Sequence, residues 1–303
     1  MLKTTVIIPT YGRPKSLPNC LISLEEQIVS PDEVIIVVDG GENQDVQAVI
    51  DSFKNKGELN IINYCNPERL GAQVSRSVGL KVATGDIVIY IDDDITMRPD
   101  WLAQLLSSYD DKKVVGVGGI IINPSSFMDN AIYKMLARFR AYVFRSKLGK
   151  INFIGLPYSY LVESVDKPIS VDFLNSGNSS YRREILTSHG PDKVMDLDFV
   201  EEHNLGTILT RKEKKKLIYN SKAVAYHNHV SSGGSWTSDR MYFTIRDHTS
   251  YLIKNFNLKY LRLPLFSLYV LGLSIIFRKT NYFKAIREGR KQYKDWVNQT
   301  KPG

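Results

Sequence analysis

Apolar positions along the first 120 residues fall into two alternating patterns. Thr4 to Pro9 (TTVIIP) is a short β-branched run closed by proline, which predicts a buried strand. Leu17, Leu21 and Leu24 then recur at helical spacing within residues 14–27. Glu33 to Val38 (EVIIVV) predicts a second buried strand and ends in Asp39-Gly40-Gly41. Val46, Val49, Ile50 and Phe53 mark a helix over 45–56, and Leu59 to Tyr64 a third strand. A further helix is predicted over 71–82, and Asp86 to Ile91 (DIVIYI) is a fourth strand running into Asp92-Asp93-Asp94. Strands apolar throughout, alternating with helices over short connections, predict a mostly parallel sheet covered on both faces. Functional groups of such sheets gather at the carboxyl ends of the strands. Thr10-Tyr11, Asp39 and Asp92 to Asp94 all fall at such ends, so three strand ends are expected to share one cleft.

The second half is less regular. Val114 to Ile122 is a β-rich run, and residues 127–147 have the pattern of a basic amphipathic helix. Residues 148–170 have loop character, Val171 to Leu174 resumes the core, and Arg182 to Thr187 begins a helix. Leu217 to Tyr219 and Ala223 to Tyr226 predict two short strands, and Arg246-Asp247-His248 the opening of a helix beside the cleft. Leu261 to Phe277 is mostly apolar but interrupted by Arg262 and Pro264, short of the about 18–20 uninterrupted apolar residues of a spanning helix. Residues 281–296 mix Tyr282, Phe283, Ile286, Tyr293 and Trp296 with five cations. That composition suits either an anionic membrane surface or a helix packed on its own domain with a solvated basic face.

Composition narrows the partners. The 303 residues carry a net charge of +8, which favours something anionic without choosing among nucleic acid, membrane and phosphorylated substrate. Cys20 and Cys65 lack metal-ligand spacing and read as small buried hydrophobes in a reducing compartment. No signal-peptide pattern precedes the first strand, so a cytoplasmic location is expected, with the protein peripheral on the cytoplasmic membrane face if the tail binds lipid.

Chemistry enters with the aspartates. Adjacent carboxylates repel, so one tends to protonate unless a cation lies between them. If strand alternation continues, Asp92 and Asp94 point the same way and offer two hard oxygen ligands, suited to Mn²⁺ or Mg²⁺. A bare DxD pattern also describes a solvated acidic turn; its place after a buried strand favours the site.

Several segments in order resemble glycosyltransferase family 2, with the GT-A nucleotide-sugar-binding fold. They are VIIPTYGRP (Val6 to Pro14), PDEVIIVVDGG (Pro31 to Gly41), Asn66 to Gly71, Ser77 to Asp86, YIDDD (Tyr90 to Asp94) and Pro99 to Leu102. FLNSGNSSYRREIL (Phe173 to Leu186), His189 to Asp192, EEHNLG (Glu201 to Gly206) and NSKAVAYH (Asn220 to His227) continue the match. The resemblance implies a GT-A catalytic domain over 1–255, with a nucleotide-sugar-binding half at 1–122 and an acceptor half at 123–255. Residues 256–303 would be a C-terminal basic helical extension, associated with membrane in one reading.

It also implies roles. Pro9, Thr10, Tyr11, Arg13, Asp39, Gly71, Arg76, Asp92, Asp93, Asn175 and Gly177 would form the nucleotide-sugar site, and Asp94, Asp92 and His227 the metal site, with His229 as a second histidine candidate. Glu202, or its neighbour Glu201, would be the catalytic base; the same pair would also suit a helix N-terminus. Two departures stand out. Gly40 replaces the second acid of the usual Asp-Asp pair, which often reads the base, and Glu202 is one methylene longer than the usual aspartate. Ile208 stands where an arginine is frequent. The implied reaction is inverting transfer from a UDP-, GDP- or dTDP-sugar to a glycan or lipid-linked acceptor, with no nucleic-acid partner. Residues 231–236 have the composition of a lid or of a plain surface loop.

Three alternatives compete. A sugar nucleotidyltransferase would be expected to carry a glycine- and arginine-rich triphosphate loop, which TYGRP is not. A non-catalytic membrane-surface module leaves Asp92 to Asp94 and Glu201-Glu202 unexplained. A processive synthase would be expected to show several spanning helices.

Overall fold

A computed structural model describes residues 2–122, 142, 145–158, 163–189, 201–228, 238–256, 259–276 and 281–300. Its first half alternates β1 (Thr4–Thr10), α1 (Leu17–Glu25), β2 (Glu33–Val38), α2 (Gln44–Lys56), β3 (Ile61–Cys65), α3 (Ala72–Val82) and β4 (Ile87–Ile91). Next come β5 (Ile95–Met97), α4 (Trp101–Leu106), β6 (Val114–Ile122), β7 (Ile169–Val171), β8 (Asn178–Arg182) and α5 (Arg183–His189). The chain then forms α6 (Glu201–Thr207), a π-helical turn Ile208–Lys212, β9 (Lys216–His227), α7 (Ser238–Asn255), α8 (Lys259–Ile276) and α9 (Tyr282–Thr300).

Among the described residues, nine strands form one sheet in the order β3-β2-β1-β4-β8-β6-β9-β5, with β7 also on β9. The β3-β2-β1-β4 half is parallel; β8 then runs antiparallel between β4 and β6. Alternate side chains of each strand feed separate cores. Val6 and Ile8 of β1 lie with α1, α2 and α4, whereas Ile7 lies with α3, α5 and the C-terminal helices. Each fully buried aliphatic side chain here contributes about 1.5–3 kcal/mol, so both faces of the sheet are anchored. The architecture is the α/β, mostly parallel, helix-flanked sheet of the GT-A fold.

Four expectations change. Asn178–Arg182 (NSSYR) is a strand that its polar composition conceals: its serines are wholly buried, with Ser180 donating to Val117 O at 2.9 Å. The two short strands after 216 are one 12-residue strand, because a register shift against β6 between Gly119 and Ile120 absorbs residues 221–223. Arg246, Asp247 and His248 lie in the middle of α7, not at its start, and Asp247 and His248 are buried. Cys65 is exposed, unlike Cys20.

Most of the helix expected over 127–147 lies outside the described residues, as do His229 and the 231–236 loop. Residues 145–147 are turn and coil, with Arg145 at φ +46°.

The C-terminal helices are integral to one core. Leu263, Phe266 and Val270 of α8 and Tyr282, Ala285 and Ile286 of α9 join the cluster that contains Ile7 and Ile35. The backbone of α9 comes close to α7 at Gly289, whose carbonyl accepts from Ser250 Oγ at 2.7 Å. Pro264 sits inside α8, one turn after its start. Among the described residues, no helix is long and apolar enough to cross a membrane.

Candidate active site

Parallel registry aligns the strand ends. Thr10 pairs with Val38, and Asp39 N donates to Thr10 O at 2.8 Å, so the loops after β1 and β2 leave the sheet together. Asp39 is buried. Its carboxylate accepts from Asn66 Nδ2, Leu70 N and Gly71 N, each at 2.9 Å. Burial alone would raise its pKa, but those hydrogen bonds and Ser75 hold it below the ordinary carboxylate value. Asp39 therefore shapes the loop that leads into α3.

Gly40, where the second acid is usual, has φ +96°. A Cβ there would lie 2.6 Å from the Tyr11 ring, and Arg69 stacks on that ring, 4.3 Å from its centroid. The missing acid makes room for an exposed Tyr11–Arg69 platform. Arg69 was not singled out in the sequence, since nothing in NPER marks it as a stacking residue.

The aspartates lie in a turn, not an extended strand, and the alternation argument fails for them. β4 ends at Ile91, and the turn sends Asp92 to Arg76 Nη2 at 2.8 Å. Asp93 and Asp94 instead share Arg13 Nη1, at 2.9 and 2.8 Å. Asp93 also accepts from Thr10 Oγ1 at 2.7 Å. Burial pushes the Asp93 pKa up to about 6, with the Asp94 charge adding to the effect, while Thr10 and Arg13 pull against it. The crowding expected of three adjacent carboxylates thus falls on Asp93.

The antiparallel pairing of β5 with β9 sets Ile95 opposite His227 and so brings that imidazole beside Asp94, with Nε2 3.2 Å from Oδ1. The contact raises the His227 pKa; Asp94, although buried, is held below the ordinary carboxylate value mainly by His227 and Arg13. Among the described residues, Asp94 Oδ1 is buried and accepts no well-aligned hydrogen bond, meeting His227 as an ion pair. A buried carboxylate oxygen beside an imidazole fits a divalent cation. Among the described residues, no three His, Cys, Asp or Glu side chains form a cage by themselves. A two-residue protein set suits Mn²⁺ or Mg²⁺ that takes further oxygens from a diphosphate and water.

Glu202 sits in the first turn of α6; the side chain of Glu201 is outside the described set. Ser176 N and Oγ both donate to Glu202 Oε1, at 2.8 and 2.6 Å. Desolvation raises the Glu202 pKa against the pull of Ser176, and Arg76 and Asp92 also act on it electrostatically. The next residue, Gly177, is so close to Asp92 that a Cβ would lie 3.0 Å from Oδ2. Asn175 accepts at its carbonyl from Asn178 N at 3.2 Å, closing the turn. Asn178 is itself buried and accepts from Trp101 Nε1 at 2.8 Å. Helix α6 is held by Thr207 Oγ1 against Tyr251 OH at 2.8 Å and by Asn255 Nδ2 donating to Asn204 Oδ1 at 2.7 Å. Pro9 is buried within β1, opposite Val37.

Fold and strand-end carboxylates together define a GT-A type α/β protein. Residues 5–190 match the sequence profile described as glycosyl transferase family 2, and the chain belongs to that family. It is 36% identical over 125 residues to a glucosyl-dolichyl phosphate glucuronosyltransferase of Haloferax volcanii, a match covering 40% of this chain and 39% of that relative. The chain therefore spans about two-fifths of that relative's length. Two solved structures share the fold. GalNAc-T7 with UDP, GalNAc and Mn²⁺ aligns over 100% of this chain and 58% of its own, with a TM-score of 0.63 and 14% identity. The mannosyltransferase PcManGT of Pyrobaculum calidifontis, with GDP-Man and Mn²⁺, aligns over 98% and 86%, with a TM-score of 0.60 and 16% identity.

Proposed function

We propose that this chain transfers a sugar, with inversion at the anomeric carbon, from a nucleoside-diphosphate sugar to a hydroxyl of a glycan or lipid-linked acceptor. The observation that carries the reading is the buried Asp94 Oδ1 paired with His227, with the desolvated Glu202 within electrostatic reach of Asp92. Asp94 and His227 would hold Mn²⁺ or Mg²⁺, and Asp92 would lie toward the ribose. When bound, the cation neutralises charge developing on the departing diphosphate. Tyr11 and Arg69 offer a stacking surface for the base in place of the absent second acid. Glu202 Oε2, with no hydrogen-bond partner among the described residues, takes the acceptor proton as that oxygen attacks. A raised pKa makes it a stronger base than a free carboxylate.

The UDP and GDP-Man in the two structural neighbours support a nucleoside-diphosphate donor, and the name of the Haloferax relative supports a lipid-linked acceptor. Exposed Lys284, Arg287, Arg290, Lys291 and Lys294 on α9, with exposed Leu268, Leu271 and Phe283 nearby in sequence, support peripheral placement on an anionic membrane face. Family membership favours the transferase over the nucleotidyltransferase and the non-catalytic module.

A thermal-shift panel of UDP, GDP and dTDP with and without Mn²⁺ tests the donor site, because stabilisation follows affinity. One diphosphate should stabilise the protein only with Mn²⁺, and Asp94→Ala should abolish the shift. An Asp94→Ala protein that keeps the full Mn²⁺-dependent shift would sink the assignment. Glu202→Gln should keep the shift and lose turnover.

A further inference from the structure

The Asn175–Asn178 turn meets both Glu202 and Asp92. On one side, Ser176 spends its backbone N–H and its hydroxyl on a single oxygen, Glu202 Oε1. On the other, Gly177 lies against Asp92, which is itself tied to Arg76. A glutamate has one more rotatable bond than the aspartate usual at this place, and so more freedom to lose when it is ordered. Two hydrogen bonds to one oxygen remove that freedom and leave Oε2 without a hydrogen-bond partner among the described residues.

We propose that Ser176 is a positioning residue for the base: it locks Glu202 Oε1 so that Oε2 is presented to the acceptor hydroxyl. The inference rests on reading Glu202 as the base. In the step served, the acceptor O–H bond breaks and its proton goes to Oε2. The acceptor oxygen forms a bond to the anomeric carbon, and the anomeric carbon–phosphate oxygen bond breaks with its electron pair leaving on the nucleoside diphosphate. The charged groups that act on Glu202 are Arg76 from α3 and Asp92 from the turn after β4. His203, next on the helix, packs instead against Phe173 and Tyr251. Because Ser176 bonds favour the ionised carboxylate, losing the hydroxyl must raise the proton affinity of Glu202.

The test uses the full chain labelled with ¹³C-glutamate, the Glu202 carboxyl signal being assigned by its loss in Glu202→Gln. Ser176→Ala should move the Glu202 titration up by about one pH unit, and Ser176→Thr, which keeps the hydroxyl, should restore it. Nucleoside diphosphate release from UDP-glucose, GDP-mannose or dTDP-glucose with Mn²⁺ gives the kinetic readout, water serving as acceptor. There Ser176→Ala should lower kcat about tenfold or more, leave the donor KM unchanged, and recover in part at higher pH. An unchanged titration, or a shifted titration with unchanged kcat, overturns the proposal. Should Ser176→Ala not fold, Ser176→Cys, a weaker donor, should give the same changes at smaller size, and their absence counts equally against it. Wild-type turnover in Glu202→Gln would instead overturn the base assignment, a result the titration does not depend on.

Discussion

Arg13 Nη1 donates to Asp94 Oδ2 at 2.8 Å and to Asp93 Oδ1 at 2.9 Å, so one guanidinium nitrogen stands on two neighbouring carboxylates. Arg13 thus supplies, from the loop after β1, positive charge to the Asp94 carboxylate, on the oxygen opposite the one that would meet a cation. Arg13→Ala should cost about 2–3 kcal/mol without metal, since buried carboxylates lose a charge-assisted partner. Its melting temperature should rise more steeply with Mn²⁺ than that of the wild type. Melts across a Mn²⁺ titration check this, and parallel curves for the two proteins would contradict it.

Gly40→Ala addresses the Tyr11–Arg69 platform. The new Cβ would meet the Tyr11 ring at 2.6 Å, at a φ of +96° that an L side chain rarely adopts. The donor KM should rise roughly tenfold, about 1.4 kcal/mol of binding, with kcat little changed. Steady-state kinetics with the diphosphate sugar chosen by the thermal-shift panel provide the measurement.

Asp39→Asn should destabilise the protein by about 1–3 kcal/mol, because the new amide would point a donor at a backbone N–H. The folded pKa of Asp39 lies below its ordinary value of 3.8, so it stabilises the fold above that pH and loses this contribution as pH falls further. Urea denaturation at neutral pH gives the size of the loss, and the variant should lack this part of the acid-side decline.

His203 packs edge-on against Phe173, and its buried Nδ1 has no hydrogen-bond partner among the described residues. Burial lowers its pKa from 6.5 to about 4. The unfolded chain therefore takes up a proton first, and stability should fall as pH drops from 6.5 to 4, by at most about 3 kcal/mol. Asp93, raised to about 6, works the other way and adds stability as pH falls from 6 toward 3.8. Subtracting the pH-stability curve of His203→Phe from that of the wild type isolates the histidine. A difference that does not change with pH would refute the assignment.

Much of the sheet could be read directly. EVIIVV is β2 to the residue, and TTVIIP and DIVIYI mark β1 and β4 within one residue. Such runs are buried on both faces, so their apolar character is continuous. NSSYR could not be read this way, because Ser180 satisfies its buried hydroxyl through partners as distant as Val117 and Tyr109. The register shift inside β9 is set by its pairing with β6 and leaves no local mark.

The same division holds at the site. Local patterning determined that Asp39 and Asp92 to Asp94 end buried strands, since strand, turn and carboxylate are contiguous in the chain. Only the tertiary structure decided which partner each carboxylate meets: Arg76 for Asp92, Thr10 and Arg13 for Asp93, Arg13 and His227 for Asp94. It also decided that Ser176, 26 residues before Glu202, holds that carboxylate. These pairings follow from strand register and helix packing between distant segments, and a one-residue slip in β9 would carry His227 away from Asp94.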